Sequence, residues 1–210
     1  MFNSKFLHAA SLFVSDDKFR HNLHGVRVEP CTKMGGSWYV ATDGHCLFAG
    51  YDPRPIETHT GEHLLTFDGK FKASFSKEER GTFTQSGAQF VFTSNGQSIV
   101  AKDEAGHQYP NWRAVVQGAE FAEPSEKNCG FNVDYLAKFA KVREIVTGQK
   151  NRGLSPSRTN GGPAYISISD NNEPLCFGLI MPIRCTSGEP PAEPHAAFFD
   201  HFEPAARKAA

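Results

Sequence analysis

The sequence predicts an α+β fold built from repeated units, each with one helix followed by several strands. Two observations support this prediction. Residues 5–15 place apolar side chains at helical spacing, whereas residues 23–51 alternate apolar and polar side chains as strands do. The same order, a helical pattern before strand patterns, occurs three times along the chain. Because no identity recurs at a fixed period, we interpret the pattern as structural duplication.

The first unit begins with a short helix that Asn3 or Ser4 can cap. We expect this helix to end near residues 15–17, after one apolar stripe formed by Phe6, Ala9, Ala10 and Phe13. Strand patterns then occupy residues 23–51 and surround a turn at residues 42–44. The turn is predicted because an Asp side chain accepts local amides and Gly supplies a positive φ.

His45 and Cys46 leave this turn side by side and invite a catalytic or metal-binding interpretation. Adjacent side chains of a strand point to opposite faces, so this pair is poorly arranged to share a proton or a metal ion. The five cysteines are odd in number and scattered, without a C-x-x-C spacing. We therefore expect free thiols and no metal site.

The second unit follows two prolines in residues 52–55 and begins with a strand at residues 64–67. Residues 70–80 are only weakly amphipathic, so the sequence leaves a helix there open. Residues 82–93 and 97–103 have strand patterns, separated by a turn at residues 94–96.

The third unit follows a polar connector at residues 117–128, the best candidate for a domain boundary. Asn132 caps the most secure helix, which Gly148 ends. A loop at residues 149–162 precedes a closing hairpin of residues 164–169 and 175–181. We expect one domain over residues 1–116, a half domain over 117–185 and a disordered tail over 186–210.

Composition is that of a folded globular protein, with 39% hydrophobic and 21% charged residues. The formal net charge of −1 gives no overall basic surface, so any nucleic-acid contact must come from a local patch. No targeting segment and no run of about eighteen apolar residues is recognised, which predicts a cytoplasmic protein without a membrane partner. No motif indicates a cofactor.

Five short segments in order resemble the bacterial replicative sliding clamp, the processivity subunit of DNA polymerase III, and its small relatives in phages and prophages. The resemblance covers roughly residues 5 to 185. The segments are LHGV (23–26), ATDGHCL (41–47), YPNWRAV (109–115), FNVDYL (131–136) and LIMPIR (179–184).

The resemblance implies a DNA-clamp fold, in which each domain pairs two units, with helices facing a central hole and sheets forming the rim. The first two units resemble the clamp's middle domain, and the third resembles the second half of its last domain. The usual dimeric ring is thus not expected. If a closed ring needs about twelve half-domain units, as in the family, about four chains would form it.

The resemblance also implies a groove that binds linear peptides of polymerases and repair proteins. Its apolar members would hold a Leu or Phe of the peptide, and His45, Asn132, Tyr135 and Arg184 would orient it. The matching positions are Leu23, Thr42, Gly44, His45, Leu47, Pro110, Val115, Asn132, Tyr135, Leu179, Met181, Pro182, Ile183 and Arg184.

Two positions depart from the family pattern: Cys46 replaces a basic residue and Ala114 replaces a second Arg. The groove should therefore be less cationic than in the family. A clamp needs only loose attraction to duplex DNA, which cations on the inner helices supply. The candidate DNA-facing residues are Lys5, Lys18, Arg20, Lys138, Lys141, Lys150 and Arg152.

Ordinary structural interpretations remain beside these functional ones. Residues 181–183 fit an edge strand that ends at a proline, Trp112 fits a core or interface plug, and Tyr135 fits helix packing. The inner-helix cations fit a solvated face. The aromatic motif at residues 198–202 fits either a ligand for a groove of its own or a neighbouring chain, or a disordered end.

The sequence favours a non-enzymatic clamp-like processivity factor that binds linear peptides and encircles duplex DNA as a homo-oligomeric ring. It would be encoded by a bacterium or a phage. One alternative is a decoy or regulator that forms no ring and competes for clamp partners. Another is an enzyme that uses Cys46 with one of the nine histidines.

Overall fold

One antiparallel sheet of eleven strands organises the chain, with three helices packed against it. The strand order is β1-β6-β7-β8-β5-β2-β3-β4-β11-β10-β9. This computed structural model describes residues 1–54, 56, 61–104, 106–120, 130–150, 153–154, 156–157, 162–170 and 173–183, and the counts refer to these residues.

The elements have the following bounds. The helices are α1 (Ser4–Ser11), α2 (Trp112–Glu120) and α3 (Val133–Thr147). The strands are β1 (Phe2–Asn3), β2 (Val26–Pro30), β3 (Ser37–Thr42), β4 (Cys46–Asp52), β5 (His63–Phe67), β6 (Arg80–Ser86), β7 (Gln89–Ser94), β8 (Gln97–Asp103), β9 (Pro156–Ser157), β10 (Ala164–Asp170) and β11 (Glu173–Ile180).

Helix α1 starts as predicted, because the Asn3 side chain accepts a backbone N–H of the first turn at 3.0 Å. It ends at Ser11, earlier than the predicted end at residues 15–17. Phe13 lies beyond the helix yet is fully buried, with its ring centroid 4.8 Å from that of Phe139 on α3. The apolar stripe thus continues into the core after the helix ends.

The pairing of β4 with β11 joins the first unit to the third within the sheet. Leu47 lies opposite Leu179, and Cys46 lies opposite Ile180. Because strand side chains alternate, the two pairs face opposite sides of the sheet. Cys46 and Ile180 belong to the main core, which includes residues of α1 and α3, whereas Leu47 and Leu179 belong to a second cluster with α2.

In the second unit, the structure answers the question left open at residues 70–80 and divides one predicted strand pattern. Residues 70–80 contain only a short 3-10 turn, Ala73–Ser76, and no α-helix. Residues 82–93 are not one strand, because β6 and β7 form a hairpin that turns at Gly87 with a φ of +60°. Alternation continues on both sides of the turn, so the strand pattern alone did not show the reversal.

Helix α2 corrects the predicted connector at residues 117–128, since its helical backbone continues to Glu120. Trp112 and Val116, one turn apart, are both buried in the second cluster. Two buried apolar residues give too little periodicity for prediction, so contacts with the sheet define this helix. A second correction concerns the predicted loop at 149–162, where Pro156–Ser157 forms β9 and pairs with β10.

Helix α3 confirms the prediction at both ends. The Asn132 side chain accepts a hydrogen bond from the amide of Asp134 at 2.9 Å, and Gly148 ends the helix with a left-handed φ of +72°.

Cys31, Cys46 and Cys176 are free thiols. The predicted tail at 186–210 and the candidates Arg152 and Arg184 lie outside the described residues, and the division at residue 117 stays a prediction.

The β4–β11 contact should be sensitive to one added methyl group. A Cβ at Gly178 would lie 2.2 Å from the Phe139 ring and 2.4 Å from the Leu47 carbonyl oxygen. We expect Gly178→Ala to lower the free energy of unfolding in urea by about 1–3 kcal/mol. Gly118→Ala is the matched control, because nothing lies within 4 Å there. The control should gain up to about 1 kcal/mol of helix stability, and equal stability of the two variants would contradict this account.

Candidate functional site

The turn between β3 and β4 holds itself closed with its own polar groups. The Thr42 hydroxyl donates to the carbonyl of Cys46 at 2.7 Å and accepts the Gly44 amide at 3.0 Å. Asp43 accepts the amides of His45 and Cys46 through one oxygen, at 2.9 Å each. Gly44 has a φ of +90°, which favours glycine. The predicted turn chemistry is confirmed.

A partly buried ion pair attaches helix α3 to this turn. The Lys138 ammonium lies 2.9 Å from the second carboxylate oxygen of Asp43, and it also lies 5.5 Å from the centre of the Tyr135 ring. Burial alone would raise the pKa of Asp43, but the hydrogen bond from Lys138 and the turn amides lower it. The Lys138 charge is therefore engaged inside the protein.

His45 lies where β4, β11 and α3 meet. Its carbonyl accepts the Met181 amide at 2.8 Å, which extends the β4–β11 pairing by one residue. Its exposed imidazole stacks on Tyr135, with ring centroids 6.1 Å apart and an interplanar angle of 12°. Two predicted groove residues from distant segments, His45 and Tyr135, are thus brought into contact.

The second cluster forms an apolar floor beside α2. Leu47 and Leu179 lie opposite each other on neighbouring strands and are buried, together with Trp112 and Val116 of α2. Val115 on the same helix is 46% exposed, and Met181 just beyond β11 is 44% exposed. These four residues belong to the predicted peptide groove, and we call them together the α2 groove, with the buried Leu47 and Leu179 as its floor and the exposed Val115 and Met181 as its rim.

Glu29, on strand β2, binds two residues at the start of α2. This buried carboxylate accepts the Trp112 indole N–H at 3.3 Å and forms an ion pair with Arg113 at 2.5 Å. It also bonds Arg27 on its own strand. The Arg113 guanidinium lies 4.4 Å from the centre of the Trp112 ring. Since β2 is central in the sheet, these contacts hold the start of α2 in place. Trp112 is buried, which agrees with its predicted role as a core plug.

The remaining groove candidates lie around this surface with other local contacts. Leu23 is buried, with its Cδ1 4.0 Å from the Cβ position that Gly44 lacks. The Asn132 side chain caps α3. Pro110 is exposed at the start of the α2 segment, and Pro182 precedes Ile183, whose amide donates to Gly130 at 2.9 Å. The groove role of all fourteen residues stays a prediction.

Comparison with solved structures identifies the fold. A beta subunit sliding clamp of DNA polymerase III from Bartonella birtlesii, bound to griselimycin, matches with a TM-score of 0.59 at 15% identity, over 86% of this chain and 64% of that chain. The DNA polymerase sliding clamp from Bacillus subtilis matches with a TM-score of 0.58 at 14% identity, over 86% of this chain and 62% of that chain. The chain has a sliding-clamp fold.

A third match is the beta subunit of DNA polymerase III from Borrelia burgdorferi, with a TM-score of 0.57 at 10% identity, over 87% of this chain and 62% of that one. The chain thus spans less than two thirds of the length of these clamps. No protein-family model matches the sequence, and no curated protein matches it. The fold predicted from the sequence resemblance is confirmed.

In this clamp fold, most of the candidate DNA-facing cations already contact protein oxygens. Lys5 donates to the Val146 carbonyl at 3.1 Å, and Lys141 and Lys150 share the Glu144 carboxylate. Arg20 pairs with Asp17 at 3.3 Å, Lys138 pairs with the β3–β4 turn, and Lys18 is exposed. The DNA-facing role stays a prediction.

His8 adds no positive charge to this side of the molecule at neutral pH. Burial and, to a smaller extent, the nearby charge of Lys141 together lower its pKa to about 4. The imidazole stacks on Phe71 with centroids 5.4 Å apart, and its Nδ1 lies 2.9 Å from the Ser76 hydroxyl. The surface formed by α1 is therefore less cationic than its sequence suggests.

Cys46 has surroundings that oppose nucleophilic chemistry. Its thiol lies 3.3 Å from the Asp43 carboxylate, and burial followed by that charge raises the pKa of the thiol. A reactive cysteine needs a lowered pKa.

Within the described part of the chain, no group of three or more His, Cys, Asp or Glu side chains is placed to hold a metal ion. None of the helices described there has the length and apolarity to cross a membrane.

Sequence reasoning missed two charged residues that position the site, Asp43 and Glu29. Asp43 was assigned only to its turn, and nothing local predicts that a lysine from α3 reaches it. Glu29 interrupts a strand whose neighbours Val26 and Val28 are buried, which is the one local sign of a specific partner. A carboxylate next to buried positions of a strand could have prompted a search for Arg or Lys.

The ion pair between Lys138 and Asp43 should give a pH-dependent contribution to stability. We expect Lys138→Met to lower the free energy of unfolding near pH 7 by about 1–2 kcal/mol. Because the folded-state pKa of Asp43 is lowered, the contribution is complete above the unfolded pKa of about 3.9 and disappears as pH falls through the folded value. The two proteins should therefore converge in stability at strongly acidic pH, as measured by urea unfolding across pH.

Lys141→Met serves as the control, since the Lys141 and Glu144 side chains are 45% and 31% exposed, more than the 29% and 15% of Lys138 and Asp43. The control should cost at most about 0.5 kcal/mol. A Lys138→Met variant that matches this control at pH 7 would rule out a structural role for the ion pair.

Proposed function

We propose that this protein is a clamp-like processivity factor of DNA replication that performs no catalysis and recruits partner proteins through the α2 groove. The ligands are linear peptides of DNA polymerases and repair proteins. The protein acts in the bacterial cytoplasm, and its gene belongs to the bacterium or to a phage. The supporting observation is the combination of a buried apolar floor, Leu47 and Leu179, with an exposed apolar rim, Val115 and Met181.

A peptide would bind by placing one or two apolar side chains against the exposed parts of Val115 and Met181, since Leu47 and Leu179 are already buried. Each buried Leu or Phe side chain contributes about 1.5–3 kcal/mol, part of which offsets the lost freedom of the peptide. Weak, exchangeable binding follows, which suits a factor that serves several partners in turn. The exposed His45 imidazole at the edge of the groove is available to a polar atom of the peptide.

For DNA, we propose that several chains close a ring around the duplex. The two ends of the sheet support this proposal, because among the described residues β1 pairs with Arg80 and Gly81 of the seven-residue β6, and β9 pairs with Tyr165 and Ile166 of the seven-residue β10. An edge strand with unpaired backbone groups is a template for another chain. Loose attraction by Lys18 and by the outer parts of Lys141 and Lys150 would hold DNA without stopping sliding.

A second candidate function is a regulator that forms no ring and competes for clamp partners. The internal pairing of Lys138 and Lys5 favours it, because these charges are less available to DNA phosphates. The formal net charge of −1 points the same way. Such a regulator would bind peptides through the same groove without binding DNA.

Charged substitutions at the rim should abolish peptide binding without unfolding the protein. Val115→Asp and Met181→Asp each place a carboxylate at an apolar position that is already nearly half exposed. The ligand is a labelled heptapeptide that contains Leu and Phe and is selected from a peptide library for binding to the unaltered protein. We expect each substitution to weaken its binding by at least about tenfold. Fluorescence anisotropy measures the affinity, and circular dichroism reports the fold.

Met34→Asp is the matched control, because Met34 is 63% exposed in the turn before β3, at the other end of that strand from the groove. It should leave peptide affinity unchanged. If all three variants bind as the unaltered protein does, the α2 groove is not the peptide site.

The ring and regulator proposals differ in solution mass and in salt dependence. A ring of about four chains would have a mass of about 92 kDa, given 23.1 kDa per chain. Light scattering over a range of concentrations should show this species, and its affinity for duplex DNA should fall steeply with salt. A monomer at every concentration, with no salt-sensitive DNA binding, would favour the regulator instead.

A further inference from the structure

We propose that Lys138 is a positioning residue for peptide binding, which fixes the His45 imidazole in the orientation in which this ring meets a peptide. Because peptide binding is itself the proposed function, this role of Lys138 rests on that proposal. Four contacts support it, and they join Lys138, Asp43, His45 and Tyr135 into one closed circuit.

The backbone of His45 is held on both sides, which leaves only its side-chain torsions free. Its amide donates to one carboxylate oxygen of Asp43 at 2.9 Å, and its carbonyl accepts the Met181 amide at 2.8 Å. The side chain itself is exposed. An exposed side chain on a fixed backbone still samples several rotamers, and a ligand that binds it has to stop this motion. A contact that limits the rotation before a peptide arrives therefore raises the affinity.

Tyr135 supplies such a contact. The His45 and Tyr135 rings are 12° from parallel, and their centroids are 6.1 Å apart. Tyr135 lies in the first turn of α3, where its amide donates to the carbonyl of the capping residue Asn132 at 3.1 Å. The orientation of the His45 imidazole thus depends on where α3 places the Tyr135 ring.

Lys138 lies one helical turn after Tyr135 and contacts both parts of this arrangement. Its ammonium is 2.9 Å from one oxygen of Asp43 and 5.5 Å from the centre of the Tyr135 ring. The other oxygen of Asp43 accepts the His45 amide. A cation over an aromatic ring is attracted to it, more strongly when the pair is shielded from water. Lys138 therefore holds α3 against the turn and restrains the ring on which His45 packs.

Lys138 keeps its positive charge for this role at neutral pH. Burial alone would lower the pKa of Lys138, but the hydrogen bond with Asp43 outweighs burial and the pKa is raised. Arginine at this position would keep a positive charge beside Asp43, whereas methionine would keep only the apolar stem. The two substitutions thus separate positioning by charge from packing.

The first measurement needs no peptide and asks whether Lys138 fixes the ring. Two-dimensional NMR should show a nuclear Overhauser contact between the His45 and Tyr135 rings in the unaltered protein. We expect this contact to be lost in Lys138→Met and retained in Lys138→Arg, with circular dichroism reporting the fold of each variant. Lys77→Met, at an exposed lysine outside α3 and the turn, is the control and should retain the contact. An unchanged contact in Lys138→Met overturns the positioning role.

The second measurement asks whether the orientation of His45 matters to a peptide. Anisotropy gives the affinity of Lys138→Met, His45→Ala and the double variant for the labelled Leu- and Phe-containing heptapeptide. We expect Lys138→Met to weaken binding about three- to tenfold, as expected for one side chain that binding must then fix. The double variant should bind as His45→Ala does, because Lys138 acts through that ring. Lys138→Arg should bind within about twofold of the unaltered protein.

The outcomes distinguish this role from the proposed function. Additive effects of the two substitutions, or unchanged affinity in His45→Ala, overturn action through His45. A lost ring contact with undiminished heptapeptide affinity overturns the role of Lys138 and leaves the peptide site intact. If the unaltered protein binds no heptapeptide at all, the proposed function fails and the role of Lys138 in binding fails with it.

Discussion

The pairing of β4 with β11 is the constraint on which the rest of this structure depends. It places residues 46–50 beside residues 176–180, which are far apart in the chain. Alternation along these two strands then assigns Cys46 and Ile180 to the main core and Leu47 and Leu179 to the cluster with α2. A shift of the β4–β11 register by one residue would exchange the residues on the two faces of the sheet. The same register therefore fixes both the floor of the α2 groove and the surface on which α1 and α3 pack.

Two buried or partly buried carboxylates attach helices α3 and α2 to the sheet. Asp43 closes the β3–β4 turn with its first oxygen and holds Lys138 of α3 with its second. On the other face, Glu29 holds Trp112 and Arg113 at the start of α2. Each carboxylate is largely shielded from water and satisfied by several donors, which offsets the cost of burying its charge. The helices on the two faces are thus positioned by polar contacts as well as by apolar packing.

In the proposed function, the same elements would form a clamp-like peptide site and leave fewer cations available to DNA. The groove needs a rigid floor and wall, which the strand pairing and Glu29 provide. The lysine that tightens α3 onto the turn loses its availability to phosphates in doing so. The buried Cys46 thiol and the Lys138 ammonium both lie beside the Asp43 carboxylate, so the Asp43 charge is already paired at this position.

The sequence by itself determined the features that depend on neighbouring residues: the Asn3 and Asn132 caps, the Gly148 stop and the turn at residues 42–44. It also indicated the clamp fold, because five ordered segments carry more information than any one of them. Tertiary structure decided whether α2 continues past residue 117, whether residues 70–80 form an α-helix, and which carboxylates meet which cations. The reason is that a short helix with two buried apolar residues, or an ion pair between distant segments, gains its free energy from partners that no local pattern specifies.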